Sequence, residues 1–282
     1  MSDGGSGTPA PMAMVPAATG RALAGEASST DVHACSVPIR VRFDEAGPDG
    51  RLRTSTLLRY AQDLAWHHSA ERGFTRAWYA ERGLVWLARA AEVAVLAPIL
   101  VGDELVGTTR VVGWRRVWAR RRTDFLDADG VLVGWTHVDW VLIDGRGVPT
   151  RIPSEFDGAF GSPAATFPLG RVDIGQAPPD AGIASFAVRP QELDPMDHAN
   201  NAVYADWLEE SVIMSGRDDG IAMTRVLPRL VRLEYARAAE RGATIVVQSW
   251  PDDDGWTCRI TDAAGEDLLR ARLGPIRDAL EG

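Results

Sequence analysis

The stretch ELDPMDHANNAVYADWLEE, residues 192–210, places Asp194, Asp197, His198, Asn200 and Asn201 within eight positions and then changes character. Tyr204, Trp207, Leu208, Ser211 and Val212 follow at i, i+3, i+4, i+7 and i+8, one face of a helix. The polar cluster is either a solvated lead-in to an ordinary helix or a reactive group of side chains at a helix N-terminus. Asp194-Pro195 is a common turn starter, and Asn200 suits a helix cap. The residues alone leave both readings open.

Working outward, IASFAVRP at 183–190 reads as a strand before the cluster. Strand patterns at 229–237, 243–250, 256–261 and 268–275 follow it, separated by PDDDG and DAAG turns. The same order occurs earlier in the chain. A strand at 37–43 and a turn at 47–50 precede Thr54, Ser55 and Thr56, which offer helix N-caps. Leu57, Leu58, Ala61, Leu64, Ala65 and His68 then share one helical face, and Gly73 stops it. Strands at 84–96, 104–114, 121–127 and 131–144 complete the first pass, with DADG and DGRG as turns. One strand, one long helix, then several antiparallel strands, done twice, implies an internal duplication. The expected class is α+β, a tandem hotdog with two antiparallel sheets, each wrapped around a central helix. The expected boundaries are a disordered tail at 1–34, repeats at 35–157 and 183–282, and a Gly/Pro/Ala-rich linker at 158–182.

Composition narrows the function classes. The 282 residues are 45% hydrophobic and carry a formal net charge of −9, which argues against nucleic acid or an anionic membrane as main partner. Every basic residue is Arg. Cys35 and Cys258 make neither a disulfide framework nor a metal spacing, and a reducing cytoplasm fits them. No zinc pattern, Gly-x-Ser-x-Gly elbow, secretory signal or membrane-length apolar run is present.

The order of segments resembles the plant-type acyl-acyl-carrier-protein thioesterases, which are double hotdogs. TSTLLRYAQDLAWHHSAERGF at 54–74, GLVWLARAAEVAV at 83–95 and WVLIDGRGVPTRIPSEF at 140–156 carry the match in the first half. LDPMDHANNAVYADWLEES at 193–211 and RLVRLEYARAAERGA at 229–243 carry it in the second. The family's Asp-x-Asn-x-His-x-Asn-Asn is matched at Asp194, His198, Asn200 and Asn201, with Met196 at the middle position. Its Leu-Glu-Tyr is matched at Leu233, Glu234 and Tyr235, whereas the Glu and Cys further along fall on Ala238 and Ala239. DPMDHANN is also similar to the Asp-x-x-Gly-His-Val-Asn-Asn of single-repeat bacterial acyl-CoA thioesterases, in which one carboxylate is base or nucleophile. Asp197 then stands where that pattern has Gly.

The resemblance implies hydrolysis of acyl carrier protein or coenzyme A thioesters, without cofactor or metal. Asp194 would be the base or nucleophile, and His198 would orient water or protonate the leaving thiolate. The backbone at Asn200 and Asn201, opening a helix, is the oxyanion candidate. Glu209 and Glu234 are alternative carboxylates. Trp86 is a candidate for lining the acyl tunnel, and Glu234 for contacting substrate. Arg120, Arg121 and Arg122, in the basic run 114–125, are candidates for meeting an acidic carrier or a phosphopantetheine phosphate. The alternative is a non-hydrolytic hotdog protein, either a β-hydroxyacyl dehydratase or an acyl-binding or release factor in an assembly line. Two repeats in one chain fit a monomer or a further homodimer.

Overall fold

The computed structural model describes residues 31–161, 168–253 and 255–276. Most of the expected tail therefore lies outside the described residues. The first half runs β1 (Cys35–Arg40), α1 (Thr54–Glu71), α2 (Arg76–Glu81), β2 (Val85–Val95), β3 (Glu104–Arg115), β4 (Trp118–Leu126), β5 (Leu132–Ile143) and α3 (Glu155–Ala159). The second runs β6 (Gly182–Ala187), α4 (Val203–Met214), α5 (Asp218–Met223), β7 (Arg229–Tyr235), β8 (Thr244–Asp252), β9 (Gly255–Asp262) and β10 (Asp267–Pro275).

The helix faces expected from spacing are the buried ones. Leu57, Leu58, Ala61, Leu64 and His68 are buried on α1, and Tyr204, Trp207, Leu208, Ser211 and Val212 on α4. Ala65 is only half-buried. Thr54, expected as a cap, serves another purpose. Arg53 precedes the helix, while the buried Thr54 hydroxyl donates to Glu209 at 2.5 Å and accepts from Arg229 at 2.9 Å.

The expectation of two sheets needs correction. The strands form one antiparallel sheet in the order β1-β3-β4-β5-β2-β7-β10-β9-β8-β6. Its two halves have the same internal order and meet where β2 pairs β7, from Ala90 against Glu234 to Val95 against Arg229. Five strands alone would leave β2 or β7 as an open edge, and pairing the two satisfies those backbone groups.

The stretch of the linker from residue 168 onward is tied down. It crosses that seam on the sheet face turned away from α1, because Ala91 and Leu233 point into the helix-side core and their neighbours alternate outward. Gly170 N–H donates to Asp139 at 2.8 Å and Val172 N–H to Glu234 at 2.9 Å. A Cβ on Gly170 would stand 2.8 Å from that of Ala90, so only glycine permits this approach.

The cores of the halves differ. Around α4 the apolar core includes Ile245, Val247, Ile260 and Leu269. The first half adds an aromatic cluster of Phe74, Tyr79, Trp114, Phe156 and Phe160 with Leu142 and Ile152. Short α2, which the spacing did not reveal, delivers Tyr79 to it. Thr75 caps α2 by accepting from Trp78 N–H at 3.2 Å.

Candidate active site

A cavity of about 220 Å³ runs between the two halves. Trp66, Tyr79, Trp86, Trp114, Phe156 and Phe160 line its first-half end, with Arg121 among them. Asp194, Met196, His198 and Asn201 line the other end, with Tyr204, Tyr235 and Ala238 beside them.

The polar end is held by a tight turn. Asp194 N–H donates to His198 O at 2.8 Å, and Asp197 N–H to Asp194 O at 3.0 Å. Asp194 Oδ1 accepts from Met196 N–H at 2.8 Å, which fixes the carboxylate and leaves its other oxygen to a reactant. Asp197 closes the turn at φ +64, a conformation that Gly adopts freely and Asp tolerates. Its exposed carboxylate pairs with Arg241 and no other cation among the described residues, so it belongs to the solvated side of the turn.

Behind the turn, the helix entry is fastened from three sides. Asn200 Oδ1 accepts from Ala202 N–H at 2.9 Å, and its Nδ2 donates to Gln62 of α1 at 3.1 Å. Tyr235 Oη donates to Asn201 O at 3.0 Å. Tyr204 Oη accepts from Ala239 N–H at 2.7 Å. Burial keeps both phenols neutral, pushing Tyr204 up to about 12 and Tyr235 higher, with the Asp194 charge adding to the first. Asn201 N–H has no acceptor among the described residues, at the start of a helix and beside the cavity. That is the geometry of an anion-accepting amide.

The sequence-predicted residues thus divide. Asp194, His198, Asn201, Trp86 and Arg121 share the cavity, and Asn200 braces it from behind. Arg120 and Arg122 do not reach it. Alternation along β4 sends them to the far face, where Arg120 pairs with Asp139 at 2.6 Å and Arg122 with Asp124 at 2.6 Å. Arg122 also lies over the Trp135 ring. Glu234 accepts the linker amide on that face, and Glu209 is half-buried between Thr54 and Arg229, so neither alternative carboxylate lines the cavity. Met196 and Ala238 line it without offering a titratable group, and Ala239 contributes only backbone. Cys35, His67 and Glu71 bring potential metal ligands within 4.8 Å of one another, outside the cavity. Burial and Glu71 push the Cys35 thiol up to about 11.

The sequence profile of the acyl-ACP thioesterase N-terminal domain matches residues 36–157, and that of the C-terminal domain matches residues 176–272. The chain belongs to the acyl-ACP thioesterase family. It is a thioester hydrolase. Among solved structures, a putative oleoyl thioesterase from Lactobacillus plantarum is similar over 87% of this chain and 97% of its own, at TM-score 0.75 and 18% identity. The 12:0-ACP thioesterase from Umbellularia californica covers 86% of this chain and 96% of its own, at TM-score 0.71 and 22% identity. An acyl-ACP thioesterase from Bacteroides thetaiotaomicron covers 86% and 97%, at TM-score 0.71 and 15% identity. These likenesses concern the fold. Among curated proteins, none matches the chain by sequence.

The first repeat carries the same turn as the candidate site, which the sequence reading missed. Val-Arg-x-x-Glu-x-x-Pro begins at Val41 and again at Val188. Arg42 N–H donates to Glu45 and Arg189 N–H to Glu192, each at 2.7 Å. Gly47 N–H donates to Arg51 O at 2.9 Å, as Asp194 does to His198. Gly47, Arg51, Arg53 and Thr54 therefore occupy the places of Asp194, His198, Asn200 and Asn201.

Proposed function

We propose that this thioesterase cleaves acyl groups from acyl carrier protein or coenzyme A, with Asp194 as general base and His198 as the proton carrier to sulfur. The observation that supports it best is that Asp194, His198 and Asn201 share one cavity with a largely apolar, aromatic pocket.

Water beside Asp194 gives its proton to the carboxylate as its oxygen bonds to the thioester carbonyl carbon. The carbonyl oxygen takes the negative charge and is received by the Asn201 amide. When the carbonyl re-forms, the carbon–sulfur bond breaks. The proton held by Asp194 returns, through the His198 imidazole, to the departing thiolate. A free acid and a free thiol result, and Asp194 is again ionised. Met196, Ala238 and Ala239 supply no competing base, so the carboxylate of Asp194 carries this role alone.

The test is thiol release from matched acyl-carrier-protein and acyl-CoA panels. Asp194→Asn is expected to lower kcat/KM by at least about a hundredfold while the protein stays folded. Thiol release by the variant at the wild-type rate overturns the assignment of Asp194.

A further inference from the structure

Arg121 is a buried cation in the aromatic half of the cavity, and hydrolysis makes no use of it. Its neighbours Arg120 and Arg122 point the other way and are matched by carboxylates. Arg121 is 8% exposed and forms no ion pair among the described residues. One nitrogen, Nη1, donates to His68 Nδ1 at 2.9 Å and to Thr109 Oγ1 at 3.3 Å. Its Nε and Nη2 have no acceptor among the described residues, and the side chain lines the cavity. A guanidinium offers five N–H donors in a planar fork suited to a carboxylate.

Among the described residues no carboxylate meets the charge, and the Phe160 ring, 5.9 Å from the guanidinium carbon, offers only an aromatic face. Tyr79 and Cys35 are the groups whose ionisation would favour it, and burial holds both protonated. His68 is kept neutral by burial and by Arg121 itself, with a pKa lowered to about 3. It accepts at Nδ1, and its Nε2 is buried with no partner among the described residues. Desolvation even draws the Arg121 guanidinium down, to about 10, which still leaves it charged near neutral pH. An uncompensated buried charge is costly, and a purely hydrocarbon tail would desolvate it further without matching it.

We infer that the acyl group taken by this enzyme carries a carboxylate at the end remote from the thioester, clamped by the free edge of the Arg121 fork. The aromatic rings, among them Trp86, Phe156 and Phe160, hold the carbon chain between. The inference rests on the cavity being the acyl site of the proposed thioesterase.

Binding of uncleavable probes separates this inference from hydrolysis. Octanamide and the monoamide of octanedioic acid differ only in the remote end, and Trp66, Trp86 and Trp114 report either one by fluorescence. With shorter and longer homologues included, the carboxylate member of a pair is expected to bind wild type at least about tenfold more tightly. Arg121→Met is expected to bring that ratio to about one, and Arg121→Lys, which keeps the charge without the fork, to an intermediate value. Equal or tighter binding of the methyl-ended amides by wild type overturns the inference, whatever the variants do. So does a preference that survives in Arg121→Met. If the carboxylate preference holds but no thioester releases thiol, the hydrolytic reading fails and the remote-carboxylate reading stands.

Discussion

The turn before α1 and the turn before α4 have one backbone and two chemistries. Each opens with an Arg whose N–H is held by a Glu three residues on, and each closes through the same pair of main-chain bonds. Each has a left-handed residue at the same place, Gly50 at φ +75 and Asp197 at φ +64. Only the second presents a carboxylate and an imidazole to an aromatic cavity. The first presents Gly47 and Arg51 to a cleft crowded with opposite charges, including Arg42, Asp44, Asp49 and Arg225. The backbone is therefore a scaffold that the fold uses twice, and the side chains proposed for the reaction are set on one copy of it. The two cores divide in the opposite sense. The half with the candidate reactive turn closes its core with Tyr204, Trp207 and Tyr235 among aliphatic side chains, whereas the other half sets His68 and Arg121 beside its aromatic cluster.

The comparison can be broken at the two glutamates that hold the turns, half-buried Glu45 and buried Glu192. Glu45→Ala and Glu192→Ala each remove charged hydrogen bonds to an Arg backbone, and each is expected to cost about 2 kcal/mol of stability in denaturant unfolding. Thiol release, measured well below the unfolding transition, should fall only with Glu192→Ala. Equal loss of activity in both would mean that the first turn also takes part in the reaction.

Acid stability tests the difference between the cores. The pKa of His68 is about 3 in the fold against 6.5 as its ordinary value, so the unfolded chain binds this proton first as pH falls. Stability should therefore drop between about pH 6.5 and pH 3, by about 1.4 kcal/mol per pH unit from this group. His68→Gln still accepts from Arg121 but does not titrate. Its acid unfolding curve should lack that slope relative to wild type, and identical slopes would refute the assignment.

The smallest effect concerns the left-handed positions. Gly50→Ala and Asp197→Ala should each cost about 1 kcal/mol, while Asp197→Gly should be close to neutral, because its exposed ion pair with Arg241 contributes little. Thermal unfolding of the three variants checks the equivalence.

The repeat order was legible in the sequence because hydrophobic spacing changes period where strands give way to helices, and both passes show it. The faces of α1 and α4 follow for the same reason. The single sheet was not legible, since β2 and β7 carry no residue that announces a partner strand from the other half. Asp194 and His198 could be singled out by their motif, and their meeting in one cavity follows from a turn that the Asp-Pro signal only hints at. Arg120 and Arg121 look equivalent in a basic run. Strand alternation separates them, sending one to the linker and the other into the cavity. Phe156, Phe160 and Tyr79 escaped because short helices of five or six residues show too little periodicity to place a side chain.

Joining β2 to β7 within one chain has a genetic consequence. In a symmetric pair of identical subunits, any substitution appears on both sides of the seam at once. Here Gly47 and Asp194 occupy equivalent places and yet are separate codons, so the first copy can lose its carboxylate while the second keeps it. The continuous sheet holds both copies in register throughout, and each can then change alone: one towards the shape and charge of the pocket, the other towards the chemistry at its mouth.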